Sequence, residues 1–157
     1  MSPPTTRFFS PQWAAEACAA WNAGPSAAVK ATKLQKYWDW IEDARQRTDA
    51  TLGLAVEDLP GAGPDCLLLR LEKGLCTRAE LVARSEAAAR VTYLLTGTYA
   101  AWRDLMSGYD AGRTIMYRKL RLEHGELLDF FKGAYMWTES LACLQTIPTE
   151  LPASELS

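Results

Sequence analysis

The stretch that most restricts the fold is Glu126 to Leu144, ELLDFFKGAYMWTESLACL. At 100° per residue its apolar side chains do not form a narrow stripe. Leu127, Leu128, Phe130, Phe131, Ala134, Tyr135, Trp137, Leu141, Ala142 and Leu144 spread over roughly 200° of arc, about twice what a one-sided surface helix needs. Asp129, Lys132, Glu139 and Ser140 occupy the rest. A helix this apolar must touch two things: the sheet beneath it, and a second chain, another helix or a greasy ligand.

Upstream, the pattern supplies that sheet. Asp49 to Leu59, Cys66 to Glu72, Leu75 to Val82, Arg90 to Thr96 and Lys119 to Glu123 alternate with period two or carry short β-prone runs. The cluster Leu59 to Asp65 and the pair Lys73-Gly74 are turns. Arg78 and Glu80 point one way, which gives the meander one wet face. Ala83 to Ala89 reads as a helical turn or loop. Thr98 caps a short helix to Met106, and Asp110 to Tyr117 reads as a linking segment. Before the sheet, Ser10-Pro11 starts a helix over Gln12 to Asn22, and a second runs from Ser26 to about Asp43 with an irregular end at Trp38 and Trp40. Trp13, Trp21, Trp38 and Trp40 are expected as core anchors. This order predicts an α+β fold, a mostly antiparallel sheet with helices on one face. The expected organisation is a flexible tail over 1–10, one domain over 11–148 and a C-terminal tail over 149–157.

Composition narrows the function. With 17 Lys+Arg against 19 Asp+Glu in 157 residues, the net charge of −2 gives no electrostatic reason to expect nucleic acid or an anionic membrane. No apolar run can span a bilayer, and the N-terminus has no secretory pattern, so the expected compartment is the cytoplasm. The C-terminal Ser-Glu-Leu-Ser is not a Ser-Lys-Leu type address. Cys18, Cys66, Cys76 and Cys143 lie far apart without a CxxC pair and are expected as buried, unpaired thiols.

No nucleotide-binding, zinc-protease or nucleophile-elbow motif is present. His124 is the single histidine and sits at a turn; the pairs Glu42-Asp43 and Glu57-Asp58 fall at segment ends, where solvated charges are common. No catalytic group, metal or cofactor is expected. Arg113, Arg118, Lys119 and Arg121 read as a solvated strand edge that also guards against edge pairing. Arg118 has two readings: it precedes the strand and is wet, or it meets an anionic headgroup at a cavity mouth, where bidentate Arg–carboxylate contacts suit the task.

The stretch Thr92 to Leu144 resembles the sterol carrier protein 2-like domains. The resemblance rests on the strand Thr92-Tyr93-Leu94-Leu95-Thr96-Gly97, on Trp102 to Leu105 with Gly108, on Asp110 to Met116, on Lys119-Leu120-Arg121-Leu122 and on Gly125, followed by the apolar helix. Arg118 stands where the family usually has Gly, His124 occupies the place of the second Gly, and Asp110-Ala111 replaces an Asp-Pro pair. The resemblance implies a five-stranded sheet covered by helices, with an apolar tunnel between them that holds fatty acids, acyl-CoA thioesters or sterols without catalysis. Its expected lining is Trp102, Leu105, Met106, Met116, Arg118, Leu120, Phe130, Phe131, Ala134, Tyr135, Trp137 and Leu141. The expected partner is a hydrophobic small molecule, with no stable membrane insertion. The alternative is a non-catalytic dimerisation or interaction module whose apolar last helix packs on a second chain, such as a second copy.

Overall fold

The computed structural model describes residues 5–61 and 63–153. In chain order the elements are β1 (Thr6–Arg7), α1 (Pro11–Ala23), α2 (Ala27–Lys30), α3 (Gln35–Gln46), β2 (Ala50–Val56), β3 (Cys66–Glu72), β4 (Leu75–Val82) and α4 (Arg84–Ala87). There follow β5 (Tyr93–Gly97), α5 (Tyr99–Met106), α6 (Ala111–Met116), β6 (Leu120–His124), α7 (Leu127–Phe131), α8 (Ala134–Leu144) and β7 (Thr149–Glu150). The main sheet has five strands in the order β4-β3-β2-β5-β6. All its pairs are antiparallel except β2–β5, so the fold is α+β with a mostly antiparallel sheet.

Period two decides which side chains meet the helices. Leu52, Leu54 and Val56 of β2, Leu67, Leu69 and Leu71 of β3, and Tyr93 and Leu95 of β5 enter one large core with α1, α5 and α8. The opposite parity, Ala55, Cys66, Leu68 and Leu94, forms a small second cluster with Val82 and Ala87 of α4. Beside it, Arg78 and Arg90 pair with Glu80, the wet face expected of the meander.

The helix starts follow their caps. Ser10 accepts from Trp13 N–H, Thr98 from Ala101 N–H and Asp110 from Arg113 N–H. The last cap makes the segment after Asp110 a helix, where a linker was expected. The second expected helix is split by residues 31–34, and its Trp-rich end is regular. Trp13, Trp21 and Trp38 are buried as expected, but Trp40 is exposed. Each buried indole finds an acceptor, as an amphipathic ring must when it leaves water. Trp21 Nε1 donates to Gly74 O at 3.1 Å and Trp102 Nε1 to Ala55 O at 3.0 Å.

The tail boundaries move. Thr6–Arg7 pairs in parallel with Thr149–Glu150, and Phe8 and Phe9 pack on Trp13 and Trp102 in the core. The first four residues and the last four of the expected tails lie outside the described residues. The cysteine expectation also changes. Cys18 of α1 and Cys76 of β4 form a disulfide with Cα atoms 5.5 Å apart, while Cys66 and Cys143 are buried free thiols. Asn22 supports that junction: its side-chain amide donates to Cys76 O at 2.8 Å and accepts from Cys76 N–H at 2.7 Å. Among the described residues no helix is long and apolar enough to cross a membrane.

Candidate functional site

The long helix expected over Glu126 to Leu144 is two helices, broken at Gly133. In an uninterrupted helix Ala134 N–H would bond Phe130 O. Here Phe130 O accepts instead from Gly133 N–H at 3.1 Å and from the Trp137 indole at 3.0 Å. Glycine weakens the helix at that point, and the indole supplies the replacement donor. The wide apolar arc is thereby divided. Phe130, Trp137, Leu141 and Leu144 turn into the core, while Leu127, Leu128 and Phe131 face solvent.

Beneath α7 lies a hollow of about 330 Å³. Its floor is Leu95 of β5 with Leu120, Arg121 and Leu122 of β6. One wall is Ile115, Met116 and Arg118 at the end of α6; the other is Leu127, Phe130 and Phe131. Phe130 is fixed from three sides. It stacks on Trp137 with ring centroids 5.3 Å apart and meets Tyr93 and Phe131 edge-on at 5.5 and 5.4 Å. The Tyr93 hydroxyl donates to Asp129, and burial together with that carboxylate pushes its pKa up to about 12.

Two cations border the hollow. Arg121 is paired with Glu57. Arg118 is exposed and, among the described residues, makes no salt bridge. Its backbone is left-handed, φ 58°, in the turn between α6 and β6. Glycine is the residue such a φ favours, so an arginine there carries a steric cost of about 1 kcal/mol.

Of the residues expected to line a site, the structure gathers Met116, Arg118, Leu120, Phe130 and Phe131 around this hollow. Trp102, Leu105 and Leu141 are in the closed core, Met106 packs against its edge, and Trp137 backs Phe130 from behind. Ala134 is half-buried on α8, and Tyr135 is exposed against Tyr37 of α3 at 5.5 Å. Sequence reasoning missed Leu95, Ile115, Arg121, Leu122 and Leu127. A period-two reading of β5 and β6 together, with Asp110 read as a cap, would have found Leu95, Ile115 and Leu122.

Other hollows have more charged linings. One of about 510 Å³ mixes Lys30, Asp39, Glu42, Arg45 and Glu139 with Trp38 and Ile41. Another of about 360 Å³, behind Trp137, is lined by Arg47, Asp49, Asp129 and Lys132. Of the four carboxylates weighed for catalysis, three have structural partners: Glu57 holds Arg121, Asp58 accepts Tyr99 N–H at 2.6 Å and Glu42 accepts from Gln46, while Asp43 is exposed on α3. His124 is exposed at the end of β6. Among the described residues no group of three His, Cys, Asp or Glu side chains is placed to hold a metal.

The backbone was compared with solved structures. A crystal structure of sterol carrier protein 2 matches with a TM-score of 0.65 at 19% identity, over 90% of this chain and 99% of that one. The chain has the sterol carrier protein 2-like fold. A solution structure of a conserved hypothetical protein from Thermus thermophilus, described as possibly a sterol carrier protein, agrees with a TM-score of 0.67 at 20% identity over 98% of both chains. No protein-family model matches the sequence, and no curated protein is significantly similar to it. In this sterol carrier protein 2-like frame, the hollow sits at the β6 edge, between sheet and helices.

Proposed function

We propose that the chain binds or carries a hydrophobic small molecule, a fatty acid, an acyl-CoA or another lipid, in the hollow beneath α7. The observation that carries this reading is the apolar space itself, walled by Leu95, Ile115, Leu120, Leu122, Phe130 and Phe131 and flanked by Arg118. Its volume lies at the lower end of the range for small-molecule sites, which are mostly apolar with few polar groups. The names of the two structural neighbours point the same way. An acyl chain gains about 0.8 kcal/mol per buried methylene, so eight give about 6 kcal/mol before ordering costs. Binding of this kind needs no catalytic group.

Arg118 gives the reading its polarity. A ligand carboxylate or phosphate at the mouth would meet a guanidinium that has no salt-bridge partner among the described residues. Arg118→Ala keeps the same left-handed backbone cost and removes only the charged side chain. We expect it to weaken a long-chain fatty acid by about tenfold and the matching fatty alcohol little, both measured by displacement of a dansyl-labelled fatty acid. Equal losses for acid and alcohol would remove the headgroup role, and no displacement by either would remove the cavity.

A further inference from the structure

The space of about 510 Å³ lies where the end of α1, the length of α3, the hairpin between β3 and β4, and α8 meet. It shares no lining residue with the hollow beneath α7. Its floor is buried and mixed: Trp38 and Ile41 of α3, with Ser140 and Cys143 of α8. The Trp38 indole donates to Lys30 O at 2.8 Å, which fixes the ring. Ser140 is only 4% exposed, and among the described residues its hydroxyl has no hydrogen-bond partner.

The charges around this floor are balanced. Lys30, Arg45 and Lys73 stand against Asp39, Glu42 and Glu139, and among the described residues none of the six is in a salt bridge. Arg45 and Glu139 are the two that are half-buried. Each is held by a neutral neighbour. Arg45 Nη2 donates to Trp21 O at 3.0 Å, and the Tyr37 hydroxyl donates to Glu139 Oε1 at 2.7 Å. The guanidinium keeps further donors, and the carboxylate a second oxygen. Both lie beside Cys143: burial raises the pKa of that thiol, Arg45 opposes the rise and Glu139 adds to it. Trp38, Ile41, Glu42 and Arg45 follow three- and four-residue spacing, so one stripe of α3 runs from the aromatic ring to the cation.

We propose that this space binds a zwitterion of the amino-acid or short-peptide class. Its carboxylate meets Arg45 and Lys73, its ammonium meets Glu139, and an apolar side chain lies over Trp38 and Ile41. An arginine fork suits a carboxylate, and charge-assisted bonds of this kind are the strong ones. The balance of sign argues against an anion or a cation alone, since either would face like charges from the other half of the lining. The volume falls in the range of small-molecule sites. The site is independent of the lipid reading, because the two spaces are lined by different residues.

The test is an NMR titration with L-leucyl-L-leucine, its N-acetyl derivative and its C-terminal amide, read at the Trp38 indole N–H, which Trp38→Phe assigns. The parent should bind the dipeptide at least about tenfold more tightly than either blocked form, and the Trp38 resonance should move. Glu139→Gln keeps an acceptor for the Tyr37 hydroxyl. It should bind the dipeptide about tenfold more weakly and no longer prefer it over the N-acetyl form, while still preferring it over the amide. Lys73→Gln, on the exposed hairpin, should weaken the dipeptide and the N-acetyl form by about threefold and leave the amide unchanged. Retained uptake of dansyl-labelled fatty acid shows that each variant is folded. No binding of the dipeptide or of free leucine up to about 10 mM would overturn the site. Equal affinity for all three forms, or a Glu139→Gln variant that discriminates as the parent does, would overturn the charge assignment on which it rests. Displacement of the fatty acid by the dipeptide would place the ligand beneath α7 and overturn it too. Dipeptide binding in a parent that takes up no fatty acid would uphold this site and remove the lipid one.

Discussion

Arg118 carries two separable consequences. Its φ of 58° places an L-residue in the region where Cβ crowds the following carbonyl. Its side chain, in no salt bridge among the described residues, stands at the rim of an apolar hollow. Set beside Arg118→Ala, Arg118→Gly separates the two effects, because both remove the charge and only glycine also removes the Cβ. We expect the variant to be more stable than the parent by roughly 0.5–1 kcal/mol, glycine's gain at positive φ exceeding its greater freedom in the unfolded chain. Its preference for fatty acid over fatty alcohol should fall to that of Arg118→Ala. Urea denaturation reads the first and ligand displacement the second. A less stable glycine variant would mean that the side chain stabilises the turn by packing, and that the backbone cost is not the dominant effect.

Between elements, the junction of α1 with β4 is the cross-linked one. Cys18–Cys76 closes a separation of 58 residues and sits beside the Asn22 clamp. In the chain-entropy account a loop of that length contributes about 4 kcal/mol. Cys66 and Cys143 are different: burial raises the pKa of both thiols, that of Cys66 to about 12, so the reactive thiolate is scarce near neutrality. Protein purified without reductant should therefore show no rapid iodoacetamide labelling at pH 8. It should label at Cys66 and Cys143 when unfolded, and at all four cysteines only after reduction; mass spectrometry counts the adducts. Four adducts without reductant would remove the cross-link, and rapid native labelling of Cys66 would contradict its burial. The pairing was not legible in the sequence, because chain separation says nothing about which helix face meets which strand. The strands were legible, β3 and β4 to the residue, since each has one parity or run that only burial explains. The α6 helix was missed because its six residues carry little periodicity and only the Asp110 cap marks it. The break at Gly133 was missed because the wheel treats Glu126 to Leu144 as one rod, while the bond from the Trp137 indole to Phe130 O is a tertiary choice.

At the scale of the fold, the excess of apolar surface is real but displaced from where the helical wheel put it. Trp102, Leu105 and Leu141 complete a closed core, and the surplus emerges on α7 and at the end of α6, around a hollow at the β6 edge. The core can then hold the fold without a guest, and occupancy of the hollow should add stability by mass action and not create the fold. With a long-chain fatty acid free at about a hundred times its dissociation constant, the gain is about 2.7 kcal/mol. For a domain of this size that corresponds to a rise in Tm of roughly 5–10 °C. Leu122→Trp, which places a large ring against the hollow's floor, should keep a cooperative transition and lose most of the rise. Differential scanning fluorimetry of parent and variant, with and without the fatty acid, decides between them. An equal rise in both would mean that lipid binds elsewhere. A parent that melts without cooperativity until lipid is added would mean that the cavity is part of the core, and that the packing around Phe130 depends on the guest.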